Sequence, residues 1–514
     1  MKVTLSVLLT ALLLVLSFPP FSLGFLAWFA LIPLFVTVKG KSPGFAFLVF
    51  YLSGIGFLMG FFYWINIIKG FDFFHFLLLG IYLGFYFAVF GVLMNFISRK
   101  LPSLSAFAAP VLWVSLEYAR SHAGFLGLPW AIIAHTQYRY PPVIQITSVT
   151  GTYGVSFLIV MGNAAIAAVV YRYLARKDEV RIKEWMYIFR PALVPLLVVG
   201  ISLGYGFHVI SGGKSRESVP VTIIQGNISQ EIKWDPAFLL ATVEKHVMLT
   251  EKAVSENHTS LIVWPETSIP GNLPHNQVLL KKISGLAKGS DAFLLVGSSQ
   301  RPKVGPREYR KSHWWNSAYF ISPQGRFEGQ YNKIHLLPFA EYLPYRDAWP
   351  WPSSLASMAG HFTPGDRHSV FTLEKGAFGV LICWESIFPD LVREFVNNGA
   401  QFLVNITNEA WFGETAAPYQ FLSMNVFRAV ENRVAIARAA NTGISCFISP
   451  FGEVTGRVTN GGKDIFVEGY LTQPVPLSSM RTFYTLYGDV FAYLNLLAAM
   501  LLLVVSFLRG DRMR

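Results

Sequence analysis

The sequence predicts two joined architectures, a membrane domain of about eight α-helical spans and an α/β layer domain held outside the membrane. Three observations lead there. Of the 514 residues, 53% are hydrophobic and only 14% charged, where a soluble domain averages about 25% charged. Long apolar runs fill the first 210 residues and return near the end. Between them, from Val219, short β-branched runs alternate with helical stretches, which is the texture of an α/β layer. The charge deficit excludes a wholly soluble protein, a disordered one and a nucleic-acid binder coated with lysines.

Runs long enough to cross about 30 Å of hydrocarbon lie near 3–17, 23–38, 45–67, 75–98, 104–118, 145–170, 190–210 and 487–508. The first, second and fifth are short. Lys2 before an apolar stretch could begin a signal peptide, but Ser17-Phe18-Pro19-Pro20 offers no small-x-small cleavage site, so the stretch is read as a span. Gly56/Gly60, Gly80/Gly84 and Gly200/Gly204, each pair four apart, would let helices approach closely. The loop from Ala119 to Ile144 carries Trp130, Tyr138 and Tyr140, which suit the headgroup zone, and is predicted to lie along the outer surface.

The chain carries 42 Lys/Arg and 30 Asp/Glu, a net +12, and most of that excess belongs to the apolar part. Residues 211–486 hold 25 basic and 23 acidic residues. With the amino terminus inside, the inner segments carry Lys2, Lys39, Lys41, Arg99, Lys100, Arg172, Arg176, Lys177, Arg181, Lys183, Arg190, Arg509, Arg512 and Arg514; the short outer loops carry only Lys69, Arg120 and Arg139. Fourteen against three fits the rule that cytoplasmic loops are the basic ones. The division is therefore 1–210 as seven spans, 211–486 outside the cytoplasm, and 487–514 as an eighth span with a basic cytoplasmic tail. Nucleic acid is excluded as a partner.

Within 211–486, strands are predicted at Val219–Asn227, Ser260–Trp264, Ala292–Ser298, Ser317–Ile321, Gly379–Cys383, Phe402–Thr407 and Ile444–Ser449. Helices are predicted near 237–256, 275–288, 388–398 and 417–436. His335–Gly365 is rich in proline and aromatics with little periodicity, which suggests a long, mobile loop over an active site, with Trp349 and Trp351 reaching the membrane. The alternative is a loop packed on the domain surface.

Three segments put reactive side chains where elements end. Pro265 stops a strand ladder just before Glu266. Lys333 stands in the otherwise apolar run around Ile334. Cys383 ends a buried strand two residues before Glu385. A thiolate is a strong nucleophile for acyl transfer, but an unperturbed thiol is only a few per cent ionised at pH 7 and needs a base and a positive field. Glu266 could be that base, and Lys333 could stabilise the thiolate and then the oxyanion. Taken singly, each has a plainer reading: a buried apolar cysteine, a loop carboxylate, a solvated lysine. Cys446 is read as packing, two thiols make no disulfide framework, and the histidines form no metal motif, so neither metal nor cofactor is implied.

Trp264-Pro265-Glu266, then Lys333 with Leu336-Pro338-Phe339, then Val380-Ile382-Cys383-Glu385 resemble the Glu-Lys-Cys signature of the nitrilase superfamily, whose fold is an αββα sandwich. Arg428-Ala429-Val430-Glu431-Asn432 and Arg438 to Gly443 are also similar to that superfamily. Hung between seven spans and one, such a domain resembles the apolipoprotein N-acyltransferases of bacterial inner membranes. That likeness runs over nearly the whole chain and includes Gln225-Gly226-Asn227, Lys233-Trp234-Asp235-Pro236, Pro338 to Pro344 and Asn408 to Gly413.

The resemblance implies Cys383 as nucleophile, Glu266 as general base and Lys333 as oxyanion partner, with Glu341 and Glu385 in support and Trp234 in an acyl or substrate channel. It also implies an inner-membrane enzyme with a periplasmic catalytic domain and both termini in the cytoplasm. The implied reaction moves an acyl chain from a membrane phospholipid, through a cysteine thioester, to the α-amino group of the diacylglyceryl-cysteine that begins an apolipoprotein. Trp384 departs from the family, whose members often carry tyrosine there; the aromatic face is kept and the hydroxyl lost. A membrane-tethered amidase or thioesterase acting on a small soluble substrate is the enzymatic alternative, and a noncatalytic lipid-binding scaffold the other.

Overall fold

Apolar periodicity and length sort the helices into two groups, and the chain divides accordingly. In the computed structural model, which describes residues 3–176, 182–213, 217–300, 314–346, 348–353, 356 and 359–509, one compact unit is Met1–Gly213 with Tyr487–Arg514 and the other is Lys214–Leu486. Lys2, Lys177, Arg181, Arg512 and Arg514 of the orientation count lie outside the described residues, as do the side chains of Arg176 and Lys183 and parts of the 335–365 loop.

The membrane unit runs α1 (Val3–Ser17), α2 (Ile32–Val38), α3 (Pro43–Phe61), α4 (Phe73–Lys100), α5 (Ser105–Ser121), α6 (Thr152–Arg176) and α7 (Ile182–Gly212). Among the described residues, α3, α4, α6, α7 and the last helix, Val490–Leu508, are long and apolar enough to cross a membrane. The other three expected spans coincide with shorter helices of 15, 7 and 17 residues, and at 1.5 Å per residue even the longest reaches only about 26 Å. A β-carbon on Gly56 would meet Ala11 at 3.3 Å and one on Gly84 would meet Ile55 at 2.9 Å, so these two glycines mark close helix approaches; Gly200 and Gly204 face open space.

The segment 119–144 departs from expectation in part: of its three named aromatics Tyr140 is exposed. Trp130 and Tyr138 are buried rather than spread on the surface. Trp130 packs on Trp64 at 5.5 Å, the Tyr138 hydroxyl pairs with that of Ser22, and the Gln137 amide donates to the Gly24 carbonyl at 2.8 Å. Partners inside the unit for its polar tips draw the segment inward.

The second unit is built on two sheets. Its strands are β1 (Ser218–Gln225), β2 (Leu261–Val263), β3 (Ile269–Asn272), β4 (Phe293–Gln300), β5 (Trp315–Ile321), β6 (Phe327–Asn332), β7 (Val370–Thr372), β8 (Ala377–Ile382), β9 (Phe402–Thr407), β10 (Ala435–Ala440), β11 (Cys446–Ile448), β12 (Val454–Arg457) and β13 (Gly469–Pro476). One sheet has the order β13-β1-β2-β4-β5-β6 with β3 on β4, the other β12-β11-β10-β9-β8-β7. The inner strands β1, β2 and β4, and likewise β8, β9 and β10, are parallel, as buried strands joined by helical crossovers are.

Among the described residues, the four longest helices of this unit are α8 (Leu239–Glu256), α9 (Gln277–Ser290), α10 (Pro389–Asn397) and α11 (Ala417–Asn432). The sheets meet through β1 with β10 and β5 with β8, α8 packs on the first sheet, and α10 and α11 pack on the second. Ile224, Val243, Ile262 and Leu294 fill the core beneath α8 and α9, each worth roughly 1.5–3 kcal/mol of burial. The predicted helix to 436 stops four residues early. Arg433 turns into the left-handed region at φ 54°, and Ala435–Ala440 pairs with β9 along its whole length, so the ladder overrides alanine's helical preference.

Candidate active site

Glu266, Lys333 and Cys383 each follow the carboxyl end of a strand: β2, β6 and β8. After β2, Pro265 denies the ladder a donor, and the chain turns through Thr267 at φ 45°. β4 must pass close to this turn, since a β-carbon on Gly297 would stand 2.8 Å from the Glu266 Cα. Lys333 is pinned by its main chain, donating its N–H to the Asn316 carbonyl and accepting from Gly365 N–H, both at 2.8 Å. Cys383 sits at φ 57°, a conformation that costs a non-glycine residue of order 1–3 kcal/mol; it lifts the half-buried thiol out of the strand line.

The polar contacts converge on one cluster. The Lys333 ammonium lies 2.8 Å from Glu341 Oε2 and 4.0 Å from Glu266 Oε1. The Asn316 amide donates to Glu266 Oε1 at 2.8 Å and to Glu341 Oε1 at 3.0 Å, and the Asn408 N–H donates to Glu266 Oε2 at 2.8 Å. Leu337 N–H completes the Glu341 carboxylate at 2.7 Å. Burial works against the Lys333 ammonium, yet Glu341, the thiol and Glu266 together hold it well above the usual lysine range. Burial, and then the negative charge of Glu266, push the Cys383 thiol up, while Lys333 opposes them. The resting group is therefore a neutral thiol that must lose its proton as it reacts.

Glu385 has a separate task. Its Oε1 accepts from Tyr331 OH at 2.7 Å and from Ile334 and His335 N–H at 2.7 and 3.0 Å, and its Oε2 accepts from Ile382 N–H at 2.7 Å. It ties the strand carrying Lys333 to the strand carrying Cys383. Burial pushes its carboxyl up to about 7, although every neighbour is a donor that favours the carboxylate. Trp384 is buried, and its indole N–H donates to the His335 carbonyl at 2.6 Å, so the ring that replaces tyrosine keeps a donor by another route. His335 stacks on Phe388 at 3.7 Å, and burial pushes its imidazole down to about 4.

Trp234 is not drawn into this cluster: it is 47% exposed and caps the short helix Gln230–Lys233. Its neighbour is. Lys233 is 2% exposed and donates to the main-chain carbonyl of Glu266 at 3.0 Å; burial pushes its ammonium down to about 7, with Glu266 and the Cys383 thiol acting the other way. Lys233, Asn316 and Asn408 are the participants that sequence reasoning missed. Lys233 and Asn408 stood within quoted motifs without a role, and Asn316 lay just before a predicted strand. Trp349 is 62% exposed, while Trp351 turns its N–H to the Pro344 carbonyl at 2.7 Å.

Buried pairs brace the floor of the site. Arg438 meets Glu409 and also donates to Asn405 Oδ1 at 3.2 Å, and Asn405 in turn donates to the Cys383 carbonyl at 3.2 Å. Asn441 donates to Asn408 Oδ1 at 2.8 Å and so steadies the residue whose main-chain N–H contacts Glu266.

Comparison with known proteins gives two family matches. Residues 220–483 match the carbon-nitrogen hydrolase family, and residues 10–165 match the apolipoprotein N-acyltransferase N-terminal domain. An apolipoprotein N-acyltransferase of Geobacter metallireducens is 37% identical, covering 98% of this chain and 95% of its own. Those of Thermotoga maritima and Chlorobaculum tepidum are 29% and 28% identical, again over 98% of this chain and over 94% and 96% of theirs.

Proposed function

The chain belongs to the apolipoprotein N-acyltransferase family, and from that premise we propose that it acylates lipoproteins by a two-step transfer through a thioester on Cys383. The Cys383 sulfur attacks an ester carbonyl of a membrane phospholipid while Glu266 takes the thiol proton. Lys333 faces the developing oxyanion. The ester C–O bond breaks, the proton passes from Glu266 to the leaving oxygen, and lysophospholipid departs. The α-amino group of a diacylglyceryl-cysteine then attacks the thioester, Glu266 accepts its proton, the C–S bond breaks and the thiol is restored.

One observation carries this reading: after β2, β6 and β8 a carboxylate and an ammonium stand 4.0 Å apart and both act on a thiol carried by a left-handed backbone, with Glu341 holding the ammonium and Asn316 shared by both carboxylates. Loss of an oxyanion donor costs about 2.7–4 kcal/mol elsewhere, so Lys333→Ala should lower thioester formation by roughly 10²- to 10³-fold. Both substrates are lipids, which accounts for a catalytic unit tethered to spans. The arrangement we propose is eight spans, both termini cytoplasmic, and residues 211–486 on the periplasmic face of the inner membrane. Water must be kept from the thioester, or the transferase becomes a lipase.

The test is the intact mass of the purified protein after incubation with a diacyl phospholipid, beside Cys383→Ala. We expect a single acyl adduct, removed by hydroxylamine and absent from the variant. A folded wild-type protein that takes up no acyl group would overturn the thioester.

A further inference from the structure

The nucleophile has a neighbour to which the two-step transfer above gives no part. β9 lies between β8 and β10 and runs parallel to both. Its pairing with β8 ends where Ile406 faces Ile382, and Cys383 then turns into the left-handed region. β9 goes one residue further: Thr407 pairs with Ala440, and its carbonyl accepts the Asn441 N–H at 3.0 Å. The residue after it, Asn408, is the one whose N–H holds the Glu266 carboxylate. Thr407 therefore stands level with the thiol and next to a residue that holds the base.

Strand alternation fixes the side on which its hydroxyl lies. Residues two apart share a face, and the Asn405 amide donates to the Leu381 and Cys383 carbonyls at 3.1 and 3.2 Å. Thr407 is on that face, fully buried, and its branched β-carbon leaves it few rotamers. Its hydroxyl has no carbonyl, amide or carboxylate partner among the described residues. The group it acts on is the Cys383 thiol, where a hydrogen bond from Thr407 favours the thiolate.

We propose that Thr407 donates its hydroxyl hydrogen to the Cys383 sulfur and stabilises the thiolate in both halves of the transfer, an inference that rests on the thioester reading. A neutral sulfur is a weak acceptor, whereas a bond to a charged acceptor is roughly twice as strong. The contact therefore tightens as Glu266 takes the thiol proton, and again as the amine displaces the sulfur and the C–S bond breaks. An interaction that strengthens towards the transition state speeds the step. The hydroxyl keeps its own proton throughout, and Lys333, held by Glu341, is left to serve the oxyanion.

The experiment compares the full chain with Thr407→Val, which keeps the shape and loses the hydroxyl, and Thr407→Ser, which keeps the hydroxyl. Two rates are read: alkylation of Cys383 by iodoacetamide, located by peptide mass, and acyl uptake from a diacyl phospholipid. Alkylation needs no lipid, so it tests the contact even if wild type takes up no acyl group and the thioester reading fails. Glu266, Lys333, Glu341 and Lys233 are the charged groups that act on the thiol, and all four remain in both variants. Losing the donor raises the thiol's affinity for its proton, so below its titration the thiolate fraction falls by one factor at every pH. Thr407→Val should slow alkylation and acyl uptake alike by roughly 10- to 10²-fold, and Thr407→Ser should restore both to within about threefold of wild type. Thermal unfolding reports folding; if Thr407→Val does not fold, Thr407→Ala takes its place beside Thr407→Ser. Alkylation at the wild-type rate in the variant without the hydroxyl overturns the proposal, whatever happens to acyl uptake. Thr407→Ser as slow as that variant overturns it too, since the methyl group and not the hydroxyl would then be what matters.

Discussion

At the scale of single residues, the site depends on second contacts as much as on reactive atoms. Trp384 illustrates this. Its N–H satisfies the His335 carbonyl, so Trp384→Phe keeps the ring, leaves that carbonyl unpaired and should cost about 1–3 kcal/mol; thermal unfolding measures it, and thioester formation should slow with it. Lys233 gives a pH signature. Unfolded, it holds its proton up to the ordinary lysine value of 10.5; folded, burial releases it near 7. Between those values the unfolded chain binds more protons, so stability rises with pH, by up to about 1.4 kcal/mol per pH unit from this group. Denaturant midpoints across that window should show the slope, and Lys233→Met should flatten it. Glu266 and Cys383 stood out in the sequence because each follows an apolar run, and Lys333 because it interrupts the apolar stretch around Ile334. Lys233 did not, since nothing local says that a lysine beside an exposed tryptophan folds inward onto the main chain of a residue 33 positions away.

At the scale of elements, the strands that read clearly were the buried parallel ones, whose β-branched runs have no other use. β10 failed because Ala435–Ala440 has helical composition, and only its pairing with β9 reveals it; β6 failed because Phe327–Asn332 is polar with a central glycine. β13 hides behind Pro474 and Pro476 on the edge of its sheet, where proline is tolerated. The paired αββα layers came from the family resemblance, since no local pattern specifies which sheet faces which. The closeness of β4 to the Glu266 turn was equally invisible and gives a prediction about the element. Gly297→Ala should push the turn carrying Glu266 away from Asn408 and Asn316, slowing acyl-enzyme formation by at least about tenfold, or roughly 1.4 kcal/mol, with Cys383 still present. A rate equal to wild type would mean that β4 does not position the base.

For the molecule as a whole, the outstanding question is orientation, and charge distribution argues it. A helix pair inserts so that its basic loop stays inside, and the fourteen-to-three bias spreads over every inner segment instead of resting on one. Lys39 also stacks its ammonium 3.6 Å from the Tyr171 ring, which brings two segments assigned to the same side together within the membrane unit. If the bias governs, an exposed position in the second unit and one in an inner loop must differ in access. Lys375→Cys, on the turn between β7 and β8, should react with a membrane-impermeant maleimide in spheroplasts with an intact inner membrane, whereas Lys41→Cys, between α2 and α3, should react only after lysis. Labelling of Lys41→Cys in intact spheroplasts with Lys375→Cys protected would invert the topology. The thiol of Cys383 would then face the cytoplasm, and a lipoprotein precursor presented at the periplasmic face could not reach it.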